Sequence, residues 1–309
     1  MSTSAVAGLA PPTAVPRMRR RELLHVLRCA LRTPRGLAGF VLTMLVVLLA
    51  VIGPFVAPHG STDFVTLPFA KPNHAALLGG DTLGRDVLSR LLDGGWQLLL
   101  MALGATAIGI GLGAVGGVAA AYLRGWRDSI IMRTVDVLLA FPQLVFALLL
   151  VSVIGPKLWI LVLAVGLSHA PQVARVLRST ALDVSERDYV KAVEITGVRP
   201  RRVMARQILP NLTTPLMVET GLRLTYSIII IAGLSFIGFG LQPPAPNWGL
   251  MINENRIGLT ENYWAVLAPV GVIALLTIGL NTFTDAVARV ALGVDRAESA
   301  MATEGLGTV

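Results

Sequence analysis

Cysteine and charge are both scarce in this chain, and so is any sign of a nucleotide site. Cys29 is the only cysteine in 309 residues, which excludes an internal disulfide framework and argues against a structural Cys-based metal site. Nothing points to redox chemistry. Charged residues make up 14% of the chain and hydrophobic ones 54%, a balance that argues against a soluble enzyme with an ordinary solvated surface. No G-x-x-x-x-G-K-[ST] phosphate loop occurs, so the chain is not expected to bind ATP in the usual way.

What is present is apolar length. Mean hydropathy is +0.70, and several runs approach the ~20 helical residues that span a bilayer core. Six spans are expected, at about 37–57, 97–122, 133–154, 158–174, 215–238 and 263–287, the fourth having the weakest signal. Pro142, Pro171 and Pro269 fall in or near spans and predict kinks more than breaks, because neighbouring helices can satisfy the freed carbonyls. The fold class is therefore an all-α membrane protein. Its parts are a basic N-terminal segment 1–36, a first span 37–57, an external loop 58–96, a five-span core 97–292 with an inside loop 175–214, and a tail 293–309. Segments 1–16 and 296–309 read as disordered tails. The first span reads as uncleaved, since no clean small-residue cleavage pattern follows the basic start.

The net charge of +8 would suit nucleic acid in a soluble protein, but in a membrane protein it is first an orientation signal. With a cytoplasmic N-terminus, inside segments hold 20 of the 26 Lys and Arg. Five (Lys71, Arg85, Arg90, Lys157 and Arg256) fall outside, and Arg223 lies within the fifth span. Both termini are then cytoplasmic. Gly109, Gly113 and Gly117, continued by Ala121, recur every fourth residue in the second span and make one smooth face for close packing, against another helix of this chain or against a second subunit. Glu219 and Arg223 share a helix face and read as a structural pair. Asp136, three residues after Arg133, reads as a boundary ion pair or cap.

The segment 188–211, DYVKAVEITGVRPRRVMARQILPN, carries five basic residues against two acidic ones. Ser185 followed by Asp188 fits a capping box, with a helix running through Tyr189, Val193 and Thr196. Gly197 suits a left-handed C-terminal cap, and Pro200 can open a second helix with an apolar face of Val203, Met204 and Ile208 that Pro210 closes. A cytoplasmic helical hairpin rooted in two spans has the form of a docking element for a soluble partner. The alternatives are a solvated loop that only sets orientation and, far behind, a DNA-reading helix pair.

The run KAV at 191–193, then three residues, then Gly197 and finally ILP at 208–210 resembles the loop on which the ATPase docks in ABC importer permeases. LLGGDTLGRDVLSRLLDGG (77–95), RTVDVLLAFPQLVFALLL (133–150), LSFIGFGLQPPAPNWGLMI (234–252) and GPFVAPHG at the end of span one are similar to the C-type permease subunit of dipeptide, oligopeptide and nickel importers. The likeness covers roughly residues 30–292. Lys191 stands where that family usually has glutamate, and Val193 where it has its second alanine. The resemblance implies a type I ABC importer permease fold and ATPase coupling through Lys191, Ala192, Val193, Gly197, Pro200, Ile208, Leu209 and Pro210. As partners it implies a homologous permease chain, two ATPase subunits that hold ATP and Mg, and an external binding protein, besides membrane lipid. This chain itself is expected to hold no cofactor and no metal. Short peptide is the first cargo, with nickel complexes and other small solutes as alternatives.

On the outer side, 82–92 reads as an interfacial amphipathic helix, with Leu83, Val87, Leu88 and Leu91 on one face and Asp81, Arg85, Asp86 and Arg90 opposite. In the family this region, with Gly84, helps to build the external vestibule. Gln242, Pro243 and Pro244 form a stiff external turn, Trp248 with Gly249 an aromatic interfacial anchor, and the resemblance suggests a gate there. His59, Asp63 and His74 lack ligand spacing for a metal. His169 reads as a hydrogen-bonded packing residue. A secondary transporter would need ionisable groups deep in the spans and inverted repeats, which the sequence does not display. An intramembrane hydrolase would need a G-x-S-x-G setting that Ser235 lacks.

Overall fold

A computed structural model describes residues 20–292. The expected tails 1–16 and 296–309 lie outside the described residues. A basic helix α1 (Arg20–Arg32) leads into α2 (Pro34–Val56). Thr33 caps α2 by accepting from the Gly36 amide at 3.1 Å, and Pro34 opens it with a preset φ. The chain continues through α3 (Val87–Asp93), α4 (Gly95–Leu123), α5 (Gly125–Leu139), α6 (Gln143–Ile154) and α7 (Leu158–Ser185). Then come α8 (Asp188–Ile195), α9 (Pro200–Val203), α10 (Thr213–Ile237), α11 (Trp248–Asn255) and α12 (Trp264–Ala291). Five stretches are long and apolar enough to cross a membrane, six if α5 and α6 count as one bent span.

The third expected span, 133–154, is not one helix. It breaks at residues 140–142, and α5 and α6 meet at 88°. Pro142 has no amide proton to give and pushes Phe141 out of the helical region, so the apolar run stays continuous while the helix does not. Pro171 and Pro269 are carried inside α7 and α12. The fourth span, weakest by hydropathy, is 28 residues long and runs to Ser185, so the inside loop is helical from its start.

The core is centred on α4 and α7. A Cβ at Gly113 would lie 2.5 Å from the Val173 Cβ, and one at Gly117 would lie 2.5 Å from the Ala174 carbonyl oxygen. The small-residue face therefore packs inside this chain and not against a second subunit. Gly113→Val is expected to fail by overpacking, at about 1–3 kcal/mol or more, because the opposing atoms sit on a buried helix. Membrane abundance of Gly113→Val against Gly111→Val, where a Cβ meets nothing within 4 Å, checks this; equal abundance would exclude a tight α4/α7 contact.

Candidate functional site

The segment between α7 and α10 departs from the expected hairpin at both ends. Ser185 is the last residue of α7 and donates to the Leu182 carbonyl at 2.8 Å, so no capping box forms with Asp188. The α8 helix still starts at Asp188, with Arg187 at its N-cap and no side-chain cap bond. Gly197 has φ 74°, and its amide donates to the Glu194 carbonyl at 2.9 Å. Pro200 opens α9. Pro210 does not close the second helix. The chain passes through a π turn at Met204–Ile208 and a 3-10 turn at Leu209–Leu212 directly into α10. Pro210 needs no amide bond in the wider π-to-3-10 junction, which is why it is tolerated there.

Val190, Val203, Ile208 and Leu212 are buried, and Ile208 and Leu212 root this segment in one apolar cluster with Leu177, Ala181 and Val184 of α7. Burial holds the Tyr189 hydroxyl above its ordinary range. Lys191, Ala192, Gly197, Pro200 and Pro210 are exposed, as is Leu209, while Val193 is half-buried. Ile195 is 87% exposed, and Lys191, Arg199, Arg201 and Arg202, close to it in sequence, are exposed too.

α5 is strapped along α7 by ion pairs. Arg178 grips Asp128 with two bonds of 2.6 Å, and Arg124 approaches Glu186 at 3.3 Å. Asp136 pairs with Arg175 across to α7, not with Arg133 on its own helix. The boundary ion pair is there, but its partner is Arg175, which reaches over from the neighbouring helix. Glu219 and Arg223 pair at 3.0 Å and are buried, and Arg223 donates onward to Gln172 of α7.

The side expected to be external is a folded cap, and it buries the charged face of the amphipathic helix read from the sequence together with Val87 and Leu91 of the apolar one. Residues 79–86 form turns and bridges, and only Val87–Asp93 is helical. Asp81, Arg85, Asp86 and Arg90 are 0–3% exposed, whereas Leu83 is 52% exposed. The charges turn inward because they satisfy one another. Asp81 accepts from Arg85 Nε at 2.7 Å and from Arg90 Nη1 at 2.6 Å, and also from the amides of Leu83 and Arg85. Glu254 of α11 meets Arg90 at 3.0 Å and Arg85 at 3.3 Å. Burial pushes the Glu254 carboxyl above its ordinary range, with Arg85 pulling it down and Asp81 pushing it further up. Asp86 caps α3, accepting from the amides of Leu88 and Ser89, and lies 3.4 Å from His59 Nδ1. Gly84, at φ 81°, lets the backbone pass against Thr66.

Trp248 is no interfacial anchor. It is fully buried and donates from Nε1 to the Leu91 carbonyl at 2.8 Å, tying α11 to α3. Gly249 is buried behind it, where a Cβ would lie 2.4 Å from the Ala232 carbonyl oxygen, while Gln242, Pro243 and Pro244 stay exposed at the rim. Among the described residues, no group of three His, Cys, Asp or Glu side chains is placed to hold a metal.

In the middle of the bundle lies a polar chain that the sequence reading connected only at His169. Gln143, His169, Ser227 and Thr106, from four helices, stand within hydrogen-bond distance of one another in order. Each is ordinary alone; only the packing of α4, α6, α7 and α10 unites them.

Residues 109–291 match the family model described as binding-protein-dependent transport system inner membrane component. The chain is 33% identical over 282 residues to a protein of Brucella suis named as a peptide transport system permease, across 90% of this chain and 94% of the relative. It is 34% identical over 257 residues to the di/tripeptide transport system permease DppC of Pseudomonas aeruginosa, across 81% and 85%. Against the glutathione transport system permease GsiD of Pectobacterium atrosepticum it is 32% identical over 257 residues, across 82% and 85%.

Proposed function

The chain belongs to the ABC importer permeases of the dipeptide and oligopeptide family, and on that premise we propose that it conducts short peptides together with a second permease chain and is driven through the segment between α7 and α10. One observation carries the coupling part. That segment leaves the bundle from α7 and re-enters it at α10 with no flexible tether, as α8, α9, a π turn and a 3-10 turn in succession. Its exposed tip combines Ile195 with Lys191, Arg199, Arg201 and Arg202, a surface that suits a soluble partner better than water alone. Force applied at the tip therefore passes into two spans.

Peptide cargo rests on the relatives, whose names include peptide, di/tripeptide, dipeptide and glutathione permeases. ATP and Mg belong to two cytoplasmic ATPase subunits, and the folded outer cap faces an external binding protein. Cargo is tested by deleting the gene and following uptake of a mixed pool of labelled di- and tripeptides, with nickel as a second arm. Loss of peptide uptake, restored by the plasmid-borne gene, supports the reading; loss confined to nickel replaces it.

The orientation follows from the placement of the basic residues, with both termini and the coupling segment in the cytoplasm. Reporters fused after Gly60 or Leu241 are expected outside and one after Arg199 inside. The reverse pattern would place the docking segment where no ATPase can reach it.

A further inference from the structure

One arrangement of protons satisfies every contact in the buried polar chain. Thr106 Oγ1 donates to the Ala102 carbonyl at 2.7 Å, so toward Ser227, 3.1 Å away, it can only accept. Ser227 thus spends its single proton on Thr106 and must accept from His169 Nε2 at 3.0 Å. His169 then carries its proton on Nε2. Its Nδ1 accepts from the Gln143 amide nitrogen at 3.4 Å, and that nitrogen also donates to the Ser168 carbonyl at 3.2 Å. His169 and Ser227 are fully buried, and Thr106 nearly so, while Gln143 at the other end is half-buried.

The position of the chain in the fold gives it mechanical meaning. α7 and α10 are the two helices from which the coupling segment hangs, and His169–Ser227 joins them in the membrane interior. About one turn nearer the coupling segment, Gln172 and Arg223 join them again. Only the His169 link extends further, to α4 through Thr106 and to the broken span through Gln143, the first residue of α6 after the 88° bend. Gly109 makes the site possible: a Cβ there would lie 2.8 Å from the His169 Cβ. Next to the bend, a cavity of about 30 Å³ lined in part by Phe141, Gln143, Ser168 and Gln172 leaves room for the joint to shift.

We propose that His169 is a positioning residue that holds α7, α10, α4 and the broken span at one relative angle, so that movement of the coupling segment reaches the pathway as a single motion. Without it, α7 and α10 keep the Gln172–Arg223 link but lose the polar tie that carries their movement to α4 and α6. The inference rests on the reading of the chain as a coupled permease. Nothing in it requires His169 to touch cargo.

The test uses the full assembly in proteoliposomes, with the partner permease, the ATPase subunits and the binding protein supplied with the mixed di- and tripeptide pool. ATP hydrolysis is read with and without the binding protein. His169→Leu is expected to keep basal hydrolysis within about twofold of the parent while the stimulation falls about tenfold. His169→Gln, which restores an N–H at the reach of Nε2, is expected to recover most of the stimulation. Should His169→Leu fail to assemble, Ser227→Ala breaks the same link with a smaller change and carries the same expectation.

Unchanged stimulation overturns the proposal. So does a parallel loss of basal and stimulated rates at matched assembly, since a residue needed only for folding lowers both together. A parent assembly that the binding protein does not stimulate overturns the permease reading and the inference with it. Stimulation is read without following cargo, so an error in the assigned cargo would show in the uptake assay and leave this comparison intact.

Discussion

Asp81→Ala is expected to destabilise the outer cap by about 3–5 kcal/mol, because it leaves two buried arginines sharing a single carboxylate. Asp81 is fully buried and accepts four hydrogen bonds, two from the guanidinium groups of Arg85 and Arg90 and two from backbone amides. Its removal strands the donors as well as the charge. Glu254 cannot take over, since it already faces both arginines and burial raises its own pKa. Thermal unfolding in detergent and protease nicking between 58 and 96 measure the effect. Adding Arg90→Met to Asp81→Ala is expected to recover part of the loss, because the remaining Arg85 and Glu254 then balance. An Asp81→Ala protein that melts with the parent and resists protease equally would mean that the cap is not held by this network.

The cap is also where sequence reading stopped short. A period of three to four in 82–92 is the same whether a charged face meets water or another charged face. The partners that decide it, Glu254, Asn255 and Trp248, lie more than 150 residues along the chain. A signal was present in Gly79, Gly80 and Gly84, three glycines within six residues, which suit a tightly folded turn better than the start of an interfacial helix. The broken span failed for a related reason: hydropathy counts apolar residues and cannot see that Pro142 splits them. Local chemistry, by contrast, was legible. The glycine face of α4, the Glu219–Arg223 pair, the left-handed Gly197 and Pro200 at the start of α9 each depend on neighbours within a few residues or on the absence of a side chain. The His169 chain depends on four helices at once, so only its packing role could be read.

Gly197→Val is expected to abolish uptake while leaving the protein in the membrane. Gly197 has φ 74°, where a β-branched residue costs about 1–2 kcal/mol because its Cβ crowds the backbone carbonyl. No neighbouring atom lies within 4 Å of an added Cβ, so the whole cost is conformational and no contact with the bundle is broken. The chain can relieve it only by rotating the turn between α8 and α9, which moves Ile195 and the basic residues that flank it. Membrane abundance should therefore stay near that of the parent, whereas ATPase co-purification, or its stimulation by the binding protein, is lost. Gly197→Asn, which tolerates the left-handed region through its short polar side chain, should retain much of the activity. If the segment were a solvated loop that only sets orientation, it would relax around the valine. Parental uptake and parental ATPase stimulation in Gly197→Val, at matched membrane levels, would then show that coupling runs through some other surface.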